Sequence, residues 1–228
     1  GGVILPSPEE TIYVFDEAHH LPKKGISHFS HFIRLTYTTT WLDQLHRAMA
    51  RFSSEFANDS PIAILLNKAS DAASQARLKV KEQFYVFEQF SVDAETSGAK
   101  GEISQYTFRE GVVDREIREI CSGLGIVFAE LTQHLDKLLE FVKKAMEEDG
   151  GELSRLQAEN WFPVFGNMLT RSESAEWLWL RFGAEDADDQ APHARWITFS
   201  NTSGSKNPTE TEISLSCSPV IAAAALKT

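Results

Sequence analysis

Thiols are scarce in this chain: 228 residues hold two cysteines. Cys121 and Cys217 stand far apart in sequence, at no metal-binding spacing. An iron–sulfur cluster needs four thiolates, so none is housed here. So few thiols suit a reducing compartment better than a disulfide-stapled secreted domain. Long apolar runs are also missing. Nothing approaches the roughly 20 residues of a membrane span, and the opening Gly1-Gly2 leads into too few apolar residues for a signal peptide. Positive charge is in short supply, with 22 Lys and Arg against 33 Asp and Glu and a net charge of −11. Strong nucleic-acid binders draw most of their affinity from basic contacts to phosphate, so little such affinity is expected in this chain alone. Arg77, Lys79 and Lys81 form one local basic cluster, and Lys137, Lys143 and Lys144 another. Both are interspersed with acids and suit solvated helix surfaces. A phosphate-binding loop, Gly-x-x-x-x-Gly-Lys-Ser/Thr, is absent. Gly204-Ser205-Lys206 is the nearest match, at the wrong spacing, and suits a hairpin turn.

What the chain does carry is a compact chemical motif near its start. Thr11-Ile12-Tyr13-Val14-Phe15 is a short apolar run of β-type, which predicts a buried strand over 11–15. It ends in Asp16-Glu17-Ala18-His19-His20-Leu21-Pro22. Two adjacent carboxylates at the carboxyl end of a strand suit a Mg²⁺·nucleotide site. Asp16 is placed to hold magnesium through water. Glu17, projecting differently, is placed to orient and deprotonate an attacking water.

This spacing resembles the DEAH box, motif II of superfamily 2 helicases. The doubled histidine and the Leu-Pro that follow make it similar to the DinG branch of the XPD-like DNA helicases. Gly1-Gly2-Val3-Ile4-Leu5-Pro6 upstream and Cys217-Ser218-Pro219-Val220 downstream also look like the flanks of that family's inserted domain. The resemblance implies an ATP-dependent enzyme that unwinds DNA 5′ to 3′, in repair or replication, in the bacterial cytoplasm. Mg²⁺ and ATP are then the cofactors, with Asp16, Glu17 and His19 at the nucleotide. His19 would couple the ATP site to a second motor domain by hydrogen bonding, while His20 packs or faces the groove. Single-stranded DNA and duplex junctions become partners of the longer parent, with no membrane involved and the piece itself monomeric. The resemblance also implies a 4Fe–4S cluster upstream of motif II, outside this sequence. Motif III, the second motor domain and the arginine finger are not present either. The chain is therefore expected to be an excised piece of a helicase, running from motif II through the arch-domain insertion, and inactive alone.

Hydrophobic periodicity predicts a mainly α protein with a small α/β remnant. The expected architecture is a helical, arch-like bundle inserted in a P-loop NTPase motor, with a β-hairpin near the C-terminus. Three parts follow: a motor segment over 1–35, the helical insertion over 36–191, and strands with a final helix returning to the motor over 192–228. Pro22 to Gly25 breaks the chain, and 28–35 is expected to form a helix leading outward. Thr38-Thr39-Thr40 suits a helix start, followed by Trp41, Leu42, Leu45, Met49, Phe52 and Phe56 at helical spacing. Pro61 suits the first turn of the next helix, whose apolar stripe runs from Ile62 to Phe90. Asp93 to Gly101 is a polar break, and Tyr106-Thr107-Phe108 fits a short strand or an ordered loop. A long helix begins near Asp114, and Gly123 and Gly125 inside it point to a kink or a tight crossing. A further helix starts near Leu153, kinked or split at Pro163, and Trp177-Leu178-Trp179-Leu180 follows as an apolar patch. After the acidic, loop-like 184–192, strands are expected over 195–200 and 212–217, joined by the polar stretch 201–208, and then a helix over 220–226.

Two other chemistries compete with the helicase reading. His19, His20, His28 and His31 lie near the carboxylates, which invites a zinc site, but no His-Glu-x-x-His spacing is present. Trp161, Trp177, Trp179 and Trp196 suit base stacking, although aromatics at helical spacing usually fill cores. Trp161-Phe162 and Trp177-Leu178-Trp179 cannot all face one core, so one member of each group is expected at the surface. A non-catalytic helical interaction module and a DEAH-like ATPase outside the DinG branch are the alternatives.

Overall fold

The computed structural model describes residues 24, 26, 30–97, 103–147, 151–186, 192–201 and 211–220. Within them the chain is mostly helical, with one small antiparallel sheet. Four long helices carry the mass: α1 (Leu35–Ser53), α2 (Pro61–Glu88), α3 (Arg115–Glu147) and α4 (Arg155–Gly183). Five strands form one sheet: β1 (His31–Arg34), β2 (Glu95–Ser97), β3 (Ile103–Thr107), β4 (His193–Asn201) and β5 (Thr211–Pro219), in the order β1-β5-β4-β3-β2. The earliest and latest strands in sequence are neighbours, with His31 opposite Cys217 and Ile33 opposite Leu215. The helical bundle thus leaves the sheet at β1 and returns to it beside that strand.

Each helix buries the stripe that its periodicity marks. Leu42, Leu45 and Met49 on α1, Leu66, Ala73 and Val80 on α2, and Leu124, Phe128, Leu131, Leu135 and Leu138 on α3 are all essentially inaccessible. Burying one such large aliphatic or aromatic side chain contributes about 1.5–3 kcal/mol. Polar ties fix the pairing of α1 and α2. The Ser70 hydroxyl lies 2.8 Å from His46 Nδ1, and Arg77 Nη1 donates to Asp43 Oδ1 at 3.0 Å. Arg77, expected on a solvated surface, is thus an interhelical partner. At the far end of the bundle Trp161 sits under Phe52 and Phe56, with ring centroids 4.6 and 6.0 Å away.

The expected helix starts hold at two places. Ser60 caps α2 by accepting from Ala63 N, with Pro61 in the first turn. Ser154 and Gln157 form a reciprocal capping box at the start of α4. The start of α1 differs from expectation. The helix begins at Leu35, and Thr39 and Thr40 lie inside it, donating back to the Thr36 carbonyl. Its N-terminal cap comes instead from β5, where Glu212 Oε1 accepts from Thr36 N at 3.0 Å. A carboxylate at a helix N-terminus also complements the dipole.

Other boundaries move for tertiary reasons. Residues 31–34, expected as helix, are the edge strand β1, because Ile33 finds a buried place against the sheet core. The polar break after Asp93 contains β2, which pairs with β3. Pro163 does not split the last helix. α4 runs through it as 29 residues and takes in the Trp177–Leu180 patch. Its missing N–H costs about 3 kcal/mol, and continuous packing on α3 offsets this. The glycines of α3 behave differently from each other. A Cβ at Gly125 would lie 2.9 Å from Leu180 Cδ2, so this is a tight crossing with α4, while Gly123 has open space around it. The expected strands over 195–200 and 212–217 are present as the longer β4 and β5, paired antiparallel along their length. Ser218 and Pro219 are the last residues of β5. The strand expected over 11–15, the turn at Gly204 and the body of the helix expected over 220–226 lie outside the described residues.

Candidate nucleic-acid interface

Asp16, Glu17 and His19 lie outside the described residues, as do His20 and His28. Of the histidines considered with them, His31 is described. It lies on β1 with its ring stacked near Trp177 of α4, centroids 6.2 Å apart at 11°. Among the described residues no group of three or more His, Cys, Asp and Glu is arranged to hold a metal ion. The two cysteines are buried and unbonded to each other. Burial pushes the Cys121 thiol up to about 12 and the Cys217 thiol up to about 11. Neither is a nucleophile at neutral pH.

The polar centre of the described structure is Arg195. It occupies a β4 position that shares the inward face with Ile197 and Phe199, and its side chain is only 2% exposed. The guanidinium is saturated. Nε and Nη2 donate to the Arg181 carbonyl at 3.1 and 2.9 Å, and Nη2 also to the Ala184 carbonyl at 3.1 Å. Nη1 donates to the Gly111 carbonyl at 2.8 Å. Asp186 accepts from Nη1 and Nη2 at 2.8 and 3.0 Å, a forked pair. His193 donates its backbone N–H to the same carboxylate at 3.1 Å, with Nδ1 at the same distance. Partial burial opposes the charge on Asp186, but the bonds from Arg195 and His193 outweigh it and hold the carboxyl down at about 2. Gly111 reaches this centre with φ of +75°, and a Cβ there would collide with the His193 carbonyl oxygen. One side chain therefore ties the end of α4, the turn before α3 and the sheet together.

Beside this clasp lies a surface of rings and guanidinium groups, on β1, the first turns of α1 and one side of α4. Arg171 of α4 sits 4.4 Å from the ring centroids of both Tyr37 and Trp41. Arg34 lies 4.9 Å from Tyr37. Ten residues along α4, about 15 Å by its rise, Arg181 lies 5.1 Å from Trp177. Trp41 is buried beneath Arg171, while Tyr37 is 53% and Phe32 67% exposed. Phe32, Arg34, Tyr37, Trp41 and Arg171 line a groove of about 240 Å³, together with Ile33 and Ala175. Cation–π contacts of this kind contribute about 0.5–1 kcal/mol each at exposed sites.

The expectation that the tryptophans split between core and surface is met unevenly. Trp179 and Trp161 are buried, Trp196 is half-buried and Trp177 is 49% exposed. Sequence reasoning missed Arg195, Asp186 and the arginines of the groove. The signal for Arg195 was its place in phase with Ile197 and Phe199. The groove gave no local signal, because Tyr37 and Arg171 meet only through the packing of α1 near α4.

No family model matches the chain. Among curated proteins, the chain is similar to the ATP-dependent DNA helicase DinG of Photobacterium profundum, at 28% identity over 197 residues. That match covers 86% of this chain and 27% of the relative's length. So little of the chain lies outside it that the likeness runs through all four helices. The chain spans about a quarter of the relative's length, and the match supports a DinG-like helicase relationship.

Proposed function

We propose that this chain is the stretch of a DinG-type, ATP-dependent DNA helicase that runs from the DEAH box through the arch-like insertion. The observation that carries the reading is the match to the DinG helicase across the four helices; the Asp16-Glu17-Ala18-His19 letters add the motif. The sheet supports the insertion: the helical excursion begins at β1 and ends at β5, strands that are direct neighbours. An excursion whose two ends lie side by side fits within a motor domain without disturbing it.

In this reading Asp16 and Glu17 serve the nucleotide. Two carboxylates are hard oxygen donors of the kind Mg²⁺ takes, and the Mg²⁺·ATP complex, when bound, supplies neutralisation of the phosphate charge. Asp16 holds the metal through water. Glu17 orients the attacking water and takes its proton, and His19 relays nucleotide occupancy to the second motor domain. The sequence has no phosphate loop, so the chain alone hydrolyses no ATP. The bundle over 36–191 acts as a gate beside the single strand during 5′-to-3′ unwinding of DNA.

Deletion of 36–191 from the full-length helicase, with Leu35 joined to Pro192 by a short linker, tests the gate. Unwinding of a forked duplex should be lost while DNA-stimulated ATP hydrolysis persists. Unwinding that continues at the parent rate would contradict the assignment.

A further inference from the structure

The surface that joins β1 to α4 departs from the charge balance of the chain. With a net charge of −11, most arginines among the described residues find a carboxylate, as Arg47, Arg77, Arg115 and Arg155 do. Arg34, Arg171 and Arg181 have no such partner among the described residues and lie against aromatic rings instead. Glu212, on the strand next to β1, is committed to the first turn of α1. Arg34 and Arg171 also repel each other, being close enough for each to feel the other's charge. Two like charges held together with no carboxylate ion-paired to either among the described residues, beside exposed ring surface, make a place for a ligand that is both anionic and flat.

We propose that the groove of Phe32, Arg34, Tyr37, Trp41 and Arg171 binds unpaired nucleotides of single-stranded DNA. Phe32 and Tyr37 offer ring surface to bases, and Arg34 and Arg171 meet the adjoining phosphates. Trp41, buried under Arg171, fixes that guanidinium in place. Trp177 and Arg181, about 9 and 15 Å further along α4 than Arg171, extend the track by two or three nucleotides. Stacking on aromatic side chains with arginine alongside is how sequence-tolerant single-strand binding is built. The choice of DNA over an acidic peptide rests on the helicase reading; the geometry itself requires an anion bearing a flat ring.

The test is fluorescence anisotropy of the 228-residue chain with a labelled oligothymidylate of about 12 nucleotides, within the range of known single-strand sites. It is run at low salt and at physiological salt. Tyr37→Ala and Arg34→Gln change exposed side chains, and circular dichroism checks that each variant keeps its helices. Each should weaken binding about tenfold, the loss typical of removing one stacked base contact. Arg34→Gln should also flatten the salt dependence by about one phosphate contact. Arg115→Gln, at the start of α3 and paired only with Glu119, should leave affinity unchanged. Equal affinity of wild type, Tyr37→Ala and Arg34→Gln would overturn the groove, as would a preference for duplex of the same length. Competition by polyglutamate as effective as by unlabelled oligothymidylate would overturn it in favour of an acidic protein partner. None of these results alters the ATPase roles of Asp16 and Glu17, which are read in a different assay.

Discussion

Asp186→Asn removes one charge from the clasp and leaves its shape. Arg195 is then a guanidinium with a side chain only 2% exposed and no anion facing it. Breaking a buried ion pair from one side commonly costs about 3–5 kcal/mol. Asp186 is 21% exposed, and the asparagine carbonyl keeps one hydrogen bond, so the lower end applies. Linkage gives the pH dependence. The Asp186 carboxyl is held at about 2 in the folded chain against 3.8 ordinarily, a difference worth on the order of 2 kcal/mol. A depressed carboxyl pKa stabilises the fold at pH values above the unfolded one. The contribution is complete at pH 7, falls to about half at pH 3, and vanishes as pH drops through 2. Urea unfolding of wild type and Asp186→Asn, followed by circular dichroism at pH 7 and pH 3, measures both quantities. The variant should be less stable by about 2–3 kcal/mol at pH 7 and by about half that at pH 3. A gap below about 0.5 kcal/mol at pH 7, or one unchanged between the two pH values, would refute the clasp as a charged tie.

Two further outcomes follow from the packing. Gly123→Ala should raise stability by about 0.5–1 kcal/mol through helix propensity, since nothing lies within 4 Å of the new methyl. Gly125→Ala should gain nothing or lose, because its Cβ meets Leu180 at 2.9 Å; urea midpoints of the two variants decide this. The thiols of Cys121 and Cys217, raised to about 12 and about 11 by burial, should resist an aromatic disulfide reagent at pH 8 and react fully in denaturant. Rapid labelling of either thiol in the folded chain would contradict the packing of α3 and β5.

Apolar periodicity made the four helices legible, because a long amphipathic stripe has one face to bury and one to leave in water. Helix starts were legible where the cap is local. Ser60 and Pro61 announce α2; the capping box of Ser154 and Gln157 at the start of α4 was there to be read but went unused. The start of α1 was not, since its cap is Glu212, which arrives from the other end of the chain. The same reason hid β1. His31–Arg34 is too short to declare a period, and pairing with β5 decides its state. Pro163 misled because propensity is a local cost and packing on α3 a collective gain. At the candidate interface, the crowding of Trp177 with Trp179 showed that one of the group lies at the surface, without saying which. Arg34, Tyr37 and Arg171 carry no shared sequence signature, and only the fold assembles them. The DEAH residues show the reverse: their chemistry is written in adjacent letters, with no tertiary information needed to suspect it.

The most direct measurement takes the full-length protein containing this chain and compares wild type with Glu17→Gln for nucleotide affinity and DNA-stimulated ATP turnover. If Glu17 is the base and Asp16 the metal holder, affinity stays within about twofold while turnover falls by about 10²–10⁴, the usual contribution of general base catalysis. Turnover that survives in Glu17→Gln, or nucleotide affinity that collapses with it, would contradict the assignment of this segment as the helicase's hydrolytic motif.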